Sequence, residues 1–213
     1  MNIQSQIKPD ILYFDEDIVV TNKPANRLSV PGRDPTLPSS MYTLTSDSFG
    51  ELHVVHRLDC ETSGIMVFAR NKEALRNLSK QFHDRVTRKR YIAEVYGDPL
   101  KAAGTIEIPL ICDWPFRPRQ KVDYVYGKYA CTLYRKIKPG YAGARLELTP
   151  VTGRSHQLRV HMRMLGHPIL GDALYAHPAA KVQAPRLYLH ASQLEFKHPT
   201  NGTLQRFECA APF

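Results

Sequence analysis

The chain has 213 residues, 43% of them hydrophobic and 23% charged, which suits a globular domain with its own core and excludes a disordered or fibrous chain. Lysine and arginine number 29 against 20 acidic residues, a formal net charge of +9. That balance fits a polyanionic partner, nucleic acid above all, or else only a soluble surface. No apolar run approaches the roughly 18 residues of a membrane span, and Met1 to Asp10 lack the apolar segment of a signal peptide; a cytoplasmic location without membrane contact is expected.

In chain order, Ile11 to Phe14 and Ile18 to Val20 read as two short strands about the polar turn Asp15-Glu16-Asp17. Asn22-Lys23-Pro24 follows, and the Pro-, Ser- and Gly-containing stretch from Ser29 to Ser40 reads as an irregular surface loop. Ile65 to Ala69 has the length and composition of a buried strand. Asn71 can cap a helix whose Leu75, Leu78 and Phe82 fall at i, i+3 and i+7, ending in a basic run from Arg85 to Arg90. Tyr91 to Tyr96 and segments near 104–111, 121–126, 130–135 and 144–149 read as strands between Gly and Pro turns. A second helix is expected to be capped by Ser155 and stopped by Gly166, with Pro168 beyond. Its apolar face is Leu158, His161, Met162 and Leu165, and Arg159 sits at the border of that face. No repeat or linker divides the chain, so one α+β domain over residues 1–213, its core from about residue 11, is expected.

Cys60, Cys112, Cys131 and Cys209 show no C-x-x-C spacing, so reduced, mostly buried thiols are expected rather than disulfides. His53, His56, His156, His161 and His190 fall at spacings that match no zinc ligand set, so no metal is expected. Walker-type and dinucleotide-type glycine loops are missing from the sequence, which argues against a nucleotide cofactor.

The stretch richest in chemistry is His56-Arg57-Leu58-Asp59, followed by Cys60-Glu61-Thr62-Ser63-Gly64. It sets a carboxylate beside an arginine in a polar loop just ahead of a buried strand. Loops anchored on rigid elements are where catalytic groups tend to sit, although on spacing alone a plain turn is the stronger reading. Five further stretches accompany it in order along the chain. They are Asn22-Lys23-Pro24, Arg90-Tyr91-Ile92-Ala93, the run from Thr152 through Arg154, His156 and Arg159 to His161, Gly166-His167-Pro168-Ile169-Leu170-Gly171-Asp172, and Leu189-His190-Ala191. Together these resemble the motif series of the RluA family of pseudouridine synthases, whose catalytic loop is H-R-L-D-x-x-T-S-G. The stretch from Ile108 to Val122 further resembles the dual-specificity branch of that family.

The resemblance implies a single catalytic domain with a central mixed, mostly antiparallel sheet flanked by helices and loops, without an N-terminal S4 module. It implies an isomerase that turns uridine into pseudouridine in RNA, one site in 23S ribosomal RNA and one in a tRNA anticodon loop. The bond between ribose and N1 breaks and a bond to C5 forms, so nothing is oxidised or consumed and no cofactor is called for. Asp59 is the implied essential group, as a nucleophile or in removing a ribose proton. Arg159 is implied as its partner, with a solvated helix residue as the plain alternative. Tyr91 is implied as a general base or a stacking ring; a half-buried strand aromatic is the alternative. Arg57 would fill the space left by a flipped uridine, and Leu189 would pack against the base unless it is an ordinary core leucine. Arg154, Arg119 and Lys121 are candidate phosphate contacts, the last two beside Tyr124 and Tyr126. RNA is the expected partner of an expected monomer. The competing readings are a synthase with another RNA target and a non-catalytic RNA-binding protein on the same scaffold, which would be expected to have lost one of Asp59, Tyr91 and Arg159.

Overall fold

The computed structural model describes residues 8–32, 36, 38–140 and 143–213; Met1 to Ile7 and part of the 29–40 stretch lie outside these residues. In chain order the elements are β1 (Asp10–Phe14), β2 (Ile18–Lys23), α1 (Met41–Phe49), β3 (His53–Val54), β4 (Ser63–Ala69), α2 (Lys72–His83), β5 (Arg88–Tyr96), β6 (Ala103–Glu107), β7 (Leu110–Cys112), a 3-10 turn (Trp114–Phe116), β8 (Gln120–Val122), β9 (Cys131–Pro139), β10 (Gly143–Pro150), α3 (Gln157–Met164), α4 (Pro178–Lys181), β11 (Leu189–Lys197) and β12 (Leu204–Glu208). Strands outnumber helices, and the α+β class expected from the sequence is what forms. The chain gathers into two compact units, one of residues 1–87 with 194–209 and one of residues 88–193 with 210–213.

In the first unit β2 pairs antiparallel with β1 and with β4, and β3 pairs antiparallel with β4. All seven residues of β4 are buried, as a continuous apolar run between two covered faces must be. Its Ile65 and Val67 pack with Ile18 and Val20 of β2, Ala74 and Leu78 of α2, and Leu194 and Phe196. The side chain of Asn71 caps α2 by accepting the N–H of Ala74 at 2.8 Å, as its position predicts. Helix α1 was not expected, because Thr43, Thr45, Ser46 and Ser48 erase any apolar period. It forms nonetheless, capped by the Ser40 hydroxyl on the Thr43 N–H (3.1 Å) and anchored by fully buried Met41.

In the second unit β10 pairs antiparallel with β5 and β9, and β6 with β9. Ala93, Val95, Leu146 and Leu148 of the sheet pack with Leu158 and Met162 of α3 and with Ile169, Leu187 and Leu189. Two expected strands take a different form. The stretch 104–111 is two strands rather than one, broken at Ile108-Pro109, where proline offers no N–H to a ladder. The expected strand 121–126 stops at Val122, because the Asp123 carboxylate accepts the N–H groups of Val125 (2.9 Å) and Tyr126 (2.8 Å) and ties the chain into a turn. β7 and β8 instead form a separate antiparallel ribbon. The cap of α3 is also corrected. It is His156, in the left-handed region at φ 51°, and not Ser155. Gly166, at φ 89°, ends the helix as expected. Finally, all four thiols are unpaired, but only Cys131 is buried, and Cys60 is exposed.

Candidate active site

The Asp59 loop belongs to the first unit and is held through its backbone. On one side the hydroxyl of buried Ser29 donates to the Leu58 carbonyl at 2.6 Å and accepts the Leu58 N–H at 3.0 Å. On the other side the ammonium of Lys23, at the end of β2, donates to the carbonyl of Cys60 at 2.9 Å. The same ammonium reaches the carbonyls of Pro24 (2.9 Å) and Arg27 (2.7 Å). Lys23 is fully buried, a placement for a cation that demands such a cage of acceptors. Asp59 thus lies between two residues whose peptide groups are fixed from below, and its own carbonyl accepts the Thr62 N–H at 3.2 Å. Thr62 and Ser63 are buried, and Gly64 carries the chain into β4 at φ 119°, a conformation glycine alone takes without strain. The Asp59 side chain is half-buried.

The loop's other members divide by exposure. His56 is structural, stacked 4.6 Å from the Phe82 ring, with Nε2 accepting the Val67 N–H at 3.2 Å. Arg57 points outward, exposed, with no hydrogen bond or ion pair among the described residues. Although Cys60 is exposed as a residue, partial desolvation of its thiol and the carboxylates of Glu61 and Asp59 push the pKa up, only partly offset by Lys23, so it is a poor nucleophile.

The α3 region belongs to the second unit and is held through its side chains. Arg159, expected at the border of the helix's apolar face, is 1% exposed. Its Nε and Nη2 donate to the two carboxylate oxygens of Asp172 at 2.8 and 2.7 Å, a bidentate pair buried on both sides. The helix entry is locked by Gln157, whose Oε1 accepts from the Thr152 hydroxyl (2.6 Å) and the Arg154 N–H (3.0 Å), while its Nε2 donates to the Cys131 carbonyl (2.9 Å).

Other expected site residues fall in this unit too. Tyr91 is half-buried on β5, opposite Leu148 of β10, against the apolar cluster. Leu189 is 2% exposed within that cluster, the placement of a core leucine. Arg154 donates from Nε to the Tyr129 carbonyl at 3.0 Å. Arg119 donates to the Leu174 carbonyl, and Lys121 lies 3.9 Å from Asp113. Both stand exposed on the β7–β8 ribbon beside Trp114, Phe116, Tyr124 and Tyr126.

Three participants escaped the sequence reading. Ser29 fell in a stretch read as surface loop, and Tyr175 fell in no motif. Asp172 closes a stretch recognised by its pattern, without a sign that its carboxylate meets Arg159. A fourth cluster, Asp15, Asp17 and His198 in the first unit, has the donor types of a metal site. Its atoms are already engaged. Asp15 accepts from the Tyr13 hydroxyl, the N–H groups of Asp17 and Ile18, and His198. Asp17 accepts from Asn71 and Thr200. Burial opposes ionisation of Asp15, yet the donors outweigh it and hold the carboxyl below its ordinary range. The cluster ties three loops together.

A model of the RNA pseudouridylate synthase family matches residues 17–164. The chain belongs to that family. It is 52% identical over 204 residues to the dual-specificity RNA pseudouridine synthase RluA of Yersinia pestis, covering 95% of this chain and 99% of that protein. It is 50% identical over 206 residues to the protein of the same description from Escherichia coli K12, covering 95% and 93%. Among solved structures, human RNA pseudouridylate synthase domain containing 1 superposes with a TM-score of 0.82 at 28% identity, over 100% of this chain and 87% of that one. Membership makes the chain an RNA-modifying isomerase, and no helix among the described residues is long and apolar enough to cross a membrane.

Proposed function

We propose that this pseudouridine synthase isomerises uridines in structured RNA loops, one in 23S ribosomal RNA and one in a tRNA anticodon loop, with Asp59 as its essential group. The observation that carries the reading is the Asp59 loop itself, a half-buried carboxylate whose neighbours on both sides are fixed by the buried side chains of Ser29 and Lys23. Such rigid support is what a reacting group needs, because small errors of position are costly in rate. The reaction cleaves the bond from C1′ to N1 and forms one from C1′ to C5, while C5 gives up a proton and the freed N1 takes one up, so atoms balance without a co-reactant. An ionised carboxylate serves it as nucleophile or as acceptor of a ribose proton.

On this reading Arg57 fills the gap left by the flipped uridine, which its exposure and its lack of a partner among the described residues permit. Arg159 is the buried cation of the reaction and Tyr91 its base or stacking ring, with Leu189 as an apolar floor. Arg154, Arg119 and Lys121 meet phosphate. Residues 1–213 form a single catalytic domain on this reading, a cytoplasmic monomer that needs neither metal nor cofactor.

The test is to map pseudouridine in total RNA from cells with and without the protein, complemented by wild type or Asp59→Asn. Wild type is expected to restore two sites, one per RNA class, and Asp59→Asn none, while the purified variant keeps its fold and RNA affinity. Substantial turnover by Asp59→Asn removes the assigned role. Modification restored at other sites redirects the substrate reading.

A further inference from the structure

The β7–β8 ribbon exposes an unusual set of side chains. Trp114, Phe116, Tyr124 and Tyr126 are 64–78% exposed, and the Arg117 guanidinium lies 4.7 Å from the centre of the Trp114 ring. Exposed aromatics beside guanidinium and ammonium groups offer stacking planes for unpaired bases and charge for phosphate.

The ribbon is not a loose arm, because α3 and its neighbours hold both of its ends. At its base, Nε2 of fully buried His161 on α3 lies 3.0 Å from the Ile108 carbonyl, and Nδ1 lies 2.9 Å from the Thr132 hydroxyl. Burial lowers the pKa of His161, so the neutral ring donates to the carbonyl and accepts from the hydroxyl. On the far strand, the Gln120 N–H donates to the Tyr175 hydroxyl at 2.7 Å. That hydroxyl also lies within hydrogen-bonding distance of His156 Nδ1, at 2.6 Å, so the one phenol is shared between the ribbon and the start of α3. The Tyr175 ring centre is 5.2 Å from the Arg159 guanidinium. Asp172 places Tyr175 in turn, since Oδ1 accepts the N–H groups of Leu174 (2.9 Å) and Tyr175 (3.1 Å) and also pairs with Arg159 Nη2 (2.7 Å). One phenol and one carboxylate therefore join the ribbon, the left-handed residue His156 and the buried arginine.

We propose that Tyr175 is a positioning residue whose hydroxyl sets the aromatic and cationic ribbon in register with Arg159, so that RNA held on the ribbon presents its target nucleotide at a fixed place relative to that arginine. This rests on the synthase reading and on the ribbon as an RNA contact. Its signature is a loss in the chemical step rather than in affinity, because misplacement by about 1 Å costs rate on the order of 100-fold while surface contacts persist.

Tyr175→Phe removes both hydrogen bonds and keeps the ring over Arg159, in its cluster with Leu110, Ala130 and Val160. Trp114 is the single tryptophan, so its fluorescence reports RNA at the ribbon. The experiment measures that signal, the dissociation constant of a tRNA anticodon stem-loop and the single-turnover rate at saturating RNA. The variant is expected to keep the Trp114 response and to bind RNA within about twofold of wild type, yet to react about tenfold or more slowly. Gln120→Pro removes the same bond from the ribbon side, where that N–H serves Tyr175, and is expected to reproduce the loss. Unchanged rates in both variants overturn the proposal, as does a rate loss fully explained by weaker binding, or a wild-type Trp114 signal blind to RNA. Failure of the reading it rests on is separable, because it shows outside these two variants, as a wild type that forms no pseudouridine in the stem-loop or as turnover by Asp59→Asn.

Discussion

Two parts of the molecule solve the problem of fixing a charged group by opposite means. The Asp59 loop is immobilised through its backbone. Ser29 grips Leu58 and Lys23 grips Cys60, so the peptide groups on both sides of the carboxylate are fixed by other residues. On α3 the charged group is itself the thing gripped, with the Arg159 guanidinium clamped by both oxygens of Asp172 and buried with it. A backbone-held group can be altered without disturbing its frame, whereas a side-chain-held group is part of its frame. Activity and stability should therefore separate at residue 59 and move together at residues 159 and 172.

The largest effect on stability is expected at Asp172. Removing it in Asp172→Ala leaves the Arg159 cation buried without its carboxylate, a loss of about 3–5 kcal/mol. For a chain of this size that lowers Tm by roughly 10 °C, readable by calorimetry. Activity measured well below the new Tm should also fall, because the arginine is no longer aimed. A variant that melts like wild type would show that the pair costs as much in desolvation as it returns, and the contrast with the Asp59 loop would lose its energetic half.

A smaller, differently distributed effect is expected at Ser29. Ser29→Ala strands a buried N–H and carbonyl of Leu58, which costs about 1–3 kcal/mol. The sharper sign is kinetic. The single-turnover rate should drop about tenfold while RNA affinity holds, since the loop loses its aim and not its charge. Ser29→Thr keeps the hydroxyl and should restore the rate. A lower Tm with an unchanged rate would mean that the grip on Leu58 serves folding alone.

How much of this was legible in the sequence follows from what kind of signal each part carries. Strands β4 and β5 and helix α2 announce themselves by apolar runs, apolar period and the Asn71 cap, and all three form. Asp59, Tyr91 and Arg159 stand in recognisable motifs. Ser29 and Tyr175 could not be read, because a serine in a Pro- and Gly-bearing stretch looks the same whether its hydroxyl faces water or the Leu58 peptide. Helix α1 was hidden by its threonines and serines, and the end of β8 by a turn that depends on where the Asp123 carboxylate points. The burial of Arg159 was invisible for a related reason. Its partner lies thirteen residues on, beyond the end of the helix, so no helical spacing links the two.

The smallest effect on stability, and the cleanest on mechanism, is expected at Arg57. It sits two residues before Asp59 in the same supported loop, exposed and without a partner among the described residues, so Arg57→Ala should change stability by no more than about 0.5 kcal/mol. Extracting a uridine from a folded loop costs a few kcal/mol, and a cation that occupies the vacated space repays part of that cost only when the loop is folded. The variant should therefore react about tenfold more slowly than wild type on a stem-loop, and nearly as fast on an unstructured strand of the same sequence. Equal slowing on both substrates would reassign Arg57 to simple phosphate attraction, which raised salt would abolish in wild type to the same degree. Selective slowing on the stem-loop would show that the loop carries two separable tools on one frame, a carboxylate for the chemistry and a guanidinium for the structure that the chemistry must first undo.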